Sequence, residues 1–358
     1  MTLLWINLFF VFILSFFSRY FASRNFVSDL GIIYVRPNKL LILGTILVLV
    51  GISGLRENIG DTYFYIHSYN ITKYSWENIL EGKDIGFGIL QLILQKFTDD
   101  PQILIFTTAL ITNLLIVIIL AKYSRLFELS TYVYITGGLF LVSMNGIRQV
   151  LAAAIIFTAT KFIINGNWIA YFIIILFASM FHQSALVLLP IYFLVRYKAW
   201  SRATIILLFF SVLIVLGYNQ FSTLLFSAIQ DTQYGQYSEF QEGGANIIRV
   251  AVYAAPLVIA FVGRGKLRKI YPISDYIVNM ALVGLIFMII STQNWIFARF
   301  SIYFNLYQLI LVSWVVKLFR EREQRFVYIA LIICYFIYYY YESVISLNIV
   351  YKSSFWGL

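Results

Sequence analysis

Charge is what this sequence has least of. Of its 358 residues, 12% are charged and 61% are hydrophobic, whereas ordinary soluble domains are about one quarter charged. A soluble globular fold is therefore excluded. The one cysteine, Cys334, lies inside an apolar run, so neither a disulfide framework nor a thiolate metal site is expected. The only histidines are His67 and His182, which excludes a multi-histidine metal centre. There is no G-x-S-x-G elbow, no H-E-x-x-H pair and no Asp-rich cluster. Gly86 and Gly88 in IGFGIL are not followed by Lys-Ser/Thr and form no phosphate loop. No soluble nucleotide-binding domain is present either. Energy or activated substrate must then come from a membrane-borne donor or an ion gradient, and no metal or cofactor is expected.

What is present is apolar sequence from end to end. The runs are too long and continuous for barrel strands, so the chain reads as all-α, a polytopic integral membrane protein forming one domain over 1–358. About twelve spans are predicted, near 2–18, 40–55, 102–121, 131–145, 148–163, 168–181, 184–195, 203–217, 248–263, 275–291, 298–316 and 326–342. The run Leu3 to Phe17 lacks a basic n-region and a small-residue cleavage site, and reads as a retained first span. Because Asn and Gly form turns, 131–163 is expected to be a helical hairpin broken at Asn145-Gly146. Two outer loops are expected, at 56–101 with a partly embedded segment over 85–97, and at 218–247.

Twelve spans divide the loops into two sets. One holds 18 of the 26 Lys and Arg residues against five acids, and the other holds eight against eleven. The positive-inside rule puts the first set in the cytoplasm and both termini outside. Topology thus accounts for the net charge of +10 without nucleic acid. The cluster YFIYYYYE (335–342) then ends the last span at the outer interface, where tyrosines are favoured.

Arg56, Arg148, Arg249 and Arg299 belong to the minority set, at or inside the outer ends of spans. An arginine inside a bilayer costs several kcal/mol and persists where it faces a protein cavity and meets an anion or carbonyls. Four on one face point to a buried anionic ligand, and guanidinium suits phosphate because its donors bind two oxygens at once. The local contexts are GLRENIGDTYFYIHSY (54–69) with Asp61, Tyr65 and His67, and NGIRQ (145–149) with Gln149. MFHQSAL (180–186) holds His182 and Ser184, NIIRVAVYAAP (246–256) holds Arg249, and NWIFARFSIYF (294–304) sets Arg299 one turn from Tyr303. His182 at a helix junction reads either as a cap or packing residue, or as a general base or phosphate donor. Asp61 reads either as a surface partner of Arg56 or as a site residue.

Arg56 with Gly60-Asp61-x-x-x-Tyr65, the NGIRQ box, FHQSAL (181–186), Arg299 with Tyr303, and Tyr351-Lys352-Ser353 together resemble the EpsG family of bacterial Wzy-type polysaccharide polymerases. These short motifs run in order over 54–353. One departure is GDTY, where family members often have a threonine before Asp-Tyr; this leaves Tyr63 and Tyr65 as rival counterparts. The resemblance implies a membrane glycosyltransferase, a GT-C-like helical bundle with an outward-facing cavity in the bacterial cytoplasmic (inner) membrane. It would join undecaprenyl-pyrophosphate-linked oligosaccharide repeat units at the outer leaflet, for capsule, exopolysaccharide or O-antigen, beside a flippase and a chain-length regulator. The growing chain is the donor, its pyrophosphate-lipid leaves, and a hydroxyl of the next unit attacks. Arginines placed at the leaving group would stabilise its charge without a metal. On this reading Arg148 and Arg299 contact the pyrophosphate and Arg249 and Arg56 support them. Gln149, Tyr65, Tyr303 and Ser184 bind substrate, His182 accepts the hydroxyl proton, and Asp61 is the substitute base or orients the acceptor.

Rival functions fit less well. A lipid-linked oligosaccharide flippase needs cations along a path reaching both leaflets, whereas these sit at one face. A membrane O-acetyltransferase takes its acyl group from the cytoplasm, whereas His182 falls outside. An ion-coupled transporter is expected to carry mid-span acids, and the predicted spans have none. An O-antigen-ligase-like transferase shares the arginine and lipid-pyrophosphate logic and differs in its acceptor.

Overall fold

The computed structural model describes residues 1–27, 33–228 and 243–357. Long apolar runs fold as helices because a backbone in lipid must satisfy its own N–H and C=O groups. The helices are α1 (Thr2–Tyr20), α2 (Lys39–Gly54), α3 (Thr62–Ile71), α4 (Trp76–Glu81), α5 (Ile85–Gln95), α6 (Gln102–Tyr123), α7 (Phe127–Thr136), α8 (Leu139–Asn145), α9 (Ile147–Thr158) and α10 (Thr160–Asn165). They continue with α11 (Trp168–Ser179), α12 (Leu188–Val195), α13 (Arg202–Leu216), α14 (Tyr218–Ala228), α15 (Ile247–Val262), α16 (Arg264–Ile270), α17 (Ser274–Ile290), α18 (Ile296–Val315) and α19 (Glu321–Tyr340). A 3-10 turn (Gln183–Val187) precedes α12, a π-helical turn (Tyr341–Ser346) extends α19, and Ser23–Val27 pairs antiparallel with Ile33–Arg36.

The helices α1, α6, α9 with α10, α18 with its 3-10 end, and α19 with its π turn are each long and apolar enough to cross a bilayer. The count of five becomes seven if the bent pairs α7–α8 and α15–α16 are each one span. Six further apolar helices are shorter. The expected segment 85–97 is α5, and part of the expected loop 218–247, at 229–242, lies outside the described residues.

The core is built on α17 and α18. Every side chain of α18 from Ser301 to Val315 is buried. By contrast α13 presents Ile205, Phe209, Phe210 and Leu216 outward, as a lipid-facing helix does. The basic loops gather at one end of the bundle. There Arg19 Nε donates to buried Glu128 at 2.7 Å, Arg268 Nε to Asp275 at 2.9 Å, Arg268 NH2 to the Ala199 carbonyl at 2.8 Å, and Lys266 Nζ to the Leu318 carbonyl at 3.1 Å.

The other end contains two helix breaks. The expected junction at Asn145-Gly146 separates α8 from α9, and a bend of 55° at Gly137-Gly138 separates α7 from α8. Periodicity alone reads 131–145 as one helix. Gly138 takes a φ of 87°, which glycine adopts without cost and other residues do not.

Arg56 ties this end together. It is 1% exposed, and its Nε donates to Thr62 Oγ1 at 3.0 Å. Its NH2 donates to the Met144 carbonyl at 2.6 Å and its NH1 to the Ser53 carbonyl. One guanidinium thus joins the ends of α2 and α8 to the start of α3. Three of its five N–H donors are spent on the protein itself, so this arginine braces the scaffold. Beside it, Asp61 N donates to Asn145 Oδ1 at 2.9 Å, an approach open only because residue 60 is glycine. A Cβ there would strike the Asn145 side chain, and its φ of 54° is left-handed. The segment after α19 laces over the same loop. Tyr351 OH donates to the Ile52 carbonyl at 2.7 Å, Lys352 N to Asn58 Oδ1 at 2.8 Å and Ser353 Oγ to the Leu55 carbonyl at 2.5 Å.

Removing Arg56 strands three buried acceptors and leaves a void, effects worth about 1–3 kcal/mol per unsatisfied group plus the cavity term. Arg56→Ala is expected to lower the thermal midpoint of the detergent-purified protein sharply. Arg56→Lys should restore little of it, since one ammonium cannot reach three divergent acceptors. A wild-type midpoint for either variant would contradict this account.

Candidate active site

Three of the four minority arginines fall in the first turn of a helix. Arg148 is the second residue of α9, Arg249 the third of α15 and Arg299 the fourth of α18. The first turn carries the positive end of the helix dipole, so a cation there is opposed by its own helix. Such turns, with free N–H groups and added guanidinium charge, favour anions. The local sequence sets each start. Asn246 caps α15 by accepting from Ile248 N at 2.9 Å, and Asn294 Oδ1 accepts from Ile296 N at 3.0 Å. Gly146 is the flexible residue from which α9 begins.

These starts surround a cavity of about 240 Å³. Its wall includes the Gly137-Gly138 break, Asn145, Gly146 and Gln149, then Arg249 and Tyr253 of α15, Trp295, Arg299 and Asn305 near or on α18, and Tyr338 and Glu342 of the last helix. Irregular backbone at membrane depth is tolerated where it lines such a space. Arg249 NH2 donates to Glu342 Oε1. The Arg299 guanidinium lies over the Trp295 ring, 4.8 Å from its centroid, and no carboxylate among the described residues pairs with it.

A second cluster adjoins the cavity. Arg148 NH1 donates to Asp84 Oδ2 at 2.8 Å, and its guanidinium lies 5.9 Å from both the Tyr65 and Phe87 rings. Asp84 Oδ1 also accepts from Gln183 N at 3.3 Å. Gly86 makes this possible. Its N–H donates to the Met180 carbonyl at 2.7 Å, and a Cβ there would come within 2.8 Å of the Met180 side chain. His182 Nδ1 and Ser184 Oγ are 2.7 Å apart, and Ser184 Oγ and Tyr303 OH are also 2.7 Å apart. Gln149 Nε2 joins the two parts, donating to the Arg299 carbonyl at 2.9 Å and to Ser184 Oγ at 3.4 Å.

Electrostatics around His182 report the same convergence. Burial, with the Arg148 and Arg299 charges adding to it, lowers its pKa from 6.5 to about 4. The imidazole is therefore neutral at pH 7. Asp84 moves the other way: burial raises its pKa, and the Arg148 charge and the Gln183 N–H partly offset that rise.

The sequence-predicted residues thus fall into three places. Arg249, Arg299 and Gln149 line the cavity. Arg148, Tyr65, His182, Ser184 and Tyr303 form the adjoining cluster. Arg56 and Asp61 belong to the brace behind Asn145, and Asp61 makes no ion pair with Arg56. Of the rival tyrosines, Tyr65 lies against Arg148, while Tyr63 is exposed and stacks on His67. Sequence reasoning missed Asp84 and Glu342. An acid next to an intramembrane arginine is the signal for both, but each partner is distant in sequence. The described residues contain no group of three or more His, Cys, Asp or Glu side chains able to hold a metal ion.

Comparison with known proteins gives one match. The sequence model of the EpsG family matches residues 39–353. No curated protein matches the chain, and no solved structure does.

The depressed His182 pKa makes a signed prediction. Between about 4 and 6.5 the unfolded chain binds a proton at this histidine that the folded chain does not. The resulting stability is present above pH 6.5 and is lost as pH falls through that window. Thermal midpoints across pH 4–7 should fall with acid, and His182→Gln should flatten the slope. An unchanged slope would remove His182 from the set of buried neutral groups.

Proposed function

The chain belongs to the EpsG family, a family of Wzy-type polysaccharide polymerases, and on that premise we propose that it joins undecaprenyl-pyrophosphate-linked oligosaccharide repeat units at the outer leaflet of the bacterial cytoplasmic membrane. The observation that carries this reading is the cavity among three helix N-terminal turns, with Arg249 and Arg299 in its wall and Arg148 in the cluster beside it. It lies at the end of the bundle opposite the basic loops, which on the positive-inside rule is the outer end. In this reading all twelve apolar segments cross the membrane in a GT-C-like bundle, the short ones lying tilted or against polar cavity walls.

Cleavage of the sugar–phosphate bond leaves negative charge on the diphosphate. Arg299, which has no carboxylate partner among the described residues, is the first contact. Arg249 and Arg148 are the reserve donors, each held on a carboxylate until an anion competes for it. Guanidinium groups already in place at the developing charge lower the barrier directly. Gln149, in the cavity wall, faces the acceptor sugar, with Ser184 and Tyr303 hydrogen-bonded behind it, and neutral His182 holds Ser184 in position. The polymer grows as the donor chain transfers to a hydroxyl of the incoming unit and the lipid diphosphate departs. A flippase and a chain-length regulator are the expected companions.

Purified chain, reconstituted with lipid-linked repeat units extracted from host cells lacking it, should form a polymer ladder without added nucleotide or metal. Arg299→Ala is expected to reduce ladder formation by about 10²–10³-fold, the usual cost of losing one transition-state donor, while membrane levels stay at wild type. Normal ladders from Arg299→Ala would refute the clamp.

A further inference from the structure

Glu342 has no place in the reading so far, yet it is the most unusual carboxylate among the described residues. It is 4% exposed and lines the arginine cavity. It sits in a π-helical turn, Tyr341–Ser346, appended to α19. Such turns are rare and are frequent at functional sites. One carboxylate oxygen accepts from Arg249 NH2. The other, Oε2, is buried and has no hydrogen-bond partner among the described residues. A purely structural ion pair should satisfy both oxygens, since a buried acceptor left unpaired is destabilising, and more so when charged. The groups around it are Arg249 and Tyr253 of α15, Arg299 of α18, and Tyr338 one turn back.

Resting on the polymerase reading, we propose that Glu342 is the catalytic residue that accepts the proton of the attacking sugar hydroxyl, and that Arg249 is its latch. In the empty cavity Arg249 neutralises Glu342. A bound diphosphate offers Arg249 a second anion, and its guanidinium, which binds two oxygens at once, turns from carboxylate to phosphate. That frees Glu342 beside the acceptor. The hydroxyl oxygen then forms a bond to the anomeric carbon as the carbon–oxygen bond to the diphosphate breaks. The bonding pair leaves with the phosphate oxygen, and the hydroxyl proton passes to Glu342. The carboxylic acid later returns that proton to water. Donor capture and base activation thus become one event, and the base is withheld when no donor is bound. His182 is less suited to the role. Its Nδ1 is engaged by Ser184, and it is not part of the cavity wall.

The test compares wild type, Glu342→Gln and Glu342→Asp in two assays: ladder formation from extracted lipid-linked repeat units, and binding of undecaprenyl diphosphate in micelles. Glu342→Gln should lose about 10²–10⁴-fold in ladder rate, the range for removing a general base. Its undecaprenyl diphosphate affinity should be unchanged or tighter, because Arg249 no longer has a competing carboxylate. Glu342→Asp should keep the rate within roughly tenfold of wild type, since it retains the proton-accepting group. A Glu342→Gln rate within threefold of wild type overturns the proposal. So does loss of rate and binding together, which marks the pair as structural. A wild-type chain that binds undecaprenyl diphosphate but makes no ladder overturns the polymerase reading, and this inference with it.

Discussion

A guanidinium shut away from water holds the cavity end of this protein in shape. Among the described residues Arg56 meets no carboxylate; two backbone carbonyls and a hydroxyl take the place of an anion. Those acceptors come from the ends of α2 and α8 and the start of α3. Helix ends in a membrane leave carbonyls that neither lipid nor water can satisfy. A single side chain with fixed, divergent donors solves that problem for two helices at once. The position of Asn145 follows from the brace, as do the start of α9 and one wall of the cavity.

The cavity end is therefore built from features that oppose stability when taken singly. Two glycines interrupt a membrane helix, three arginines oppose their own helix dipoles, and one carboxylate oxygen has no hydrogen-bond partner among the described residues. Violations of local preference are expected at functional or strained sites. At the opposite end Arg19 and Arg268 are paired with Glu128 and Asp275, and Lys266 donates to the Leu318 carbonyl.

Much of this was legible before any coordinates. Apolar periodicity located the helices, and the break at Asn145-Gly146 could be read from turn chemistry. The arginines that line the cavity stood out because they sat on the wrong side of the charge ledger. The bend at Gly137-Gly138 escaped because two glycines in an apolar run look like ordinary membrane-helix residues. Asp84 and Glu342 escaped for another reason. Asp84 reads as a loop acid and Glu342 as the tail of a tyrosine cluster, and their arginines lie 64 and 93 positions away. Arg56 shows the converse limit. Its motif marks it as important, but only its burial shows that it serves the scaffold.

The lacing of residues 350–354 onto the loop after α2 sets a timetable for biogenesis. Ser353 and Leu55, joined by a hydrogen bond, are 298 positions apart. A ribosome therefore threads α2 into the bilayer long before the segment that covers its end exists. Until then the loop around Arg56 lacks its cover, and the cavity end has to wait, open, for almost the whole chain. Contacts of such long range form late and slowly. The cover over this loop is therefore among the last contacts of the cavity end to form.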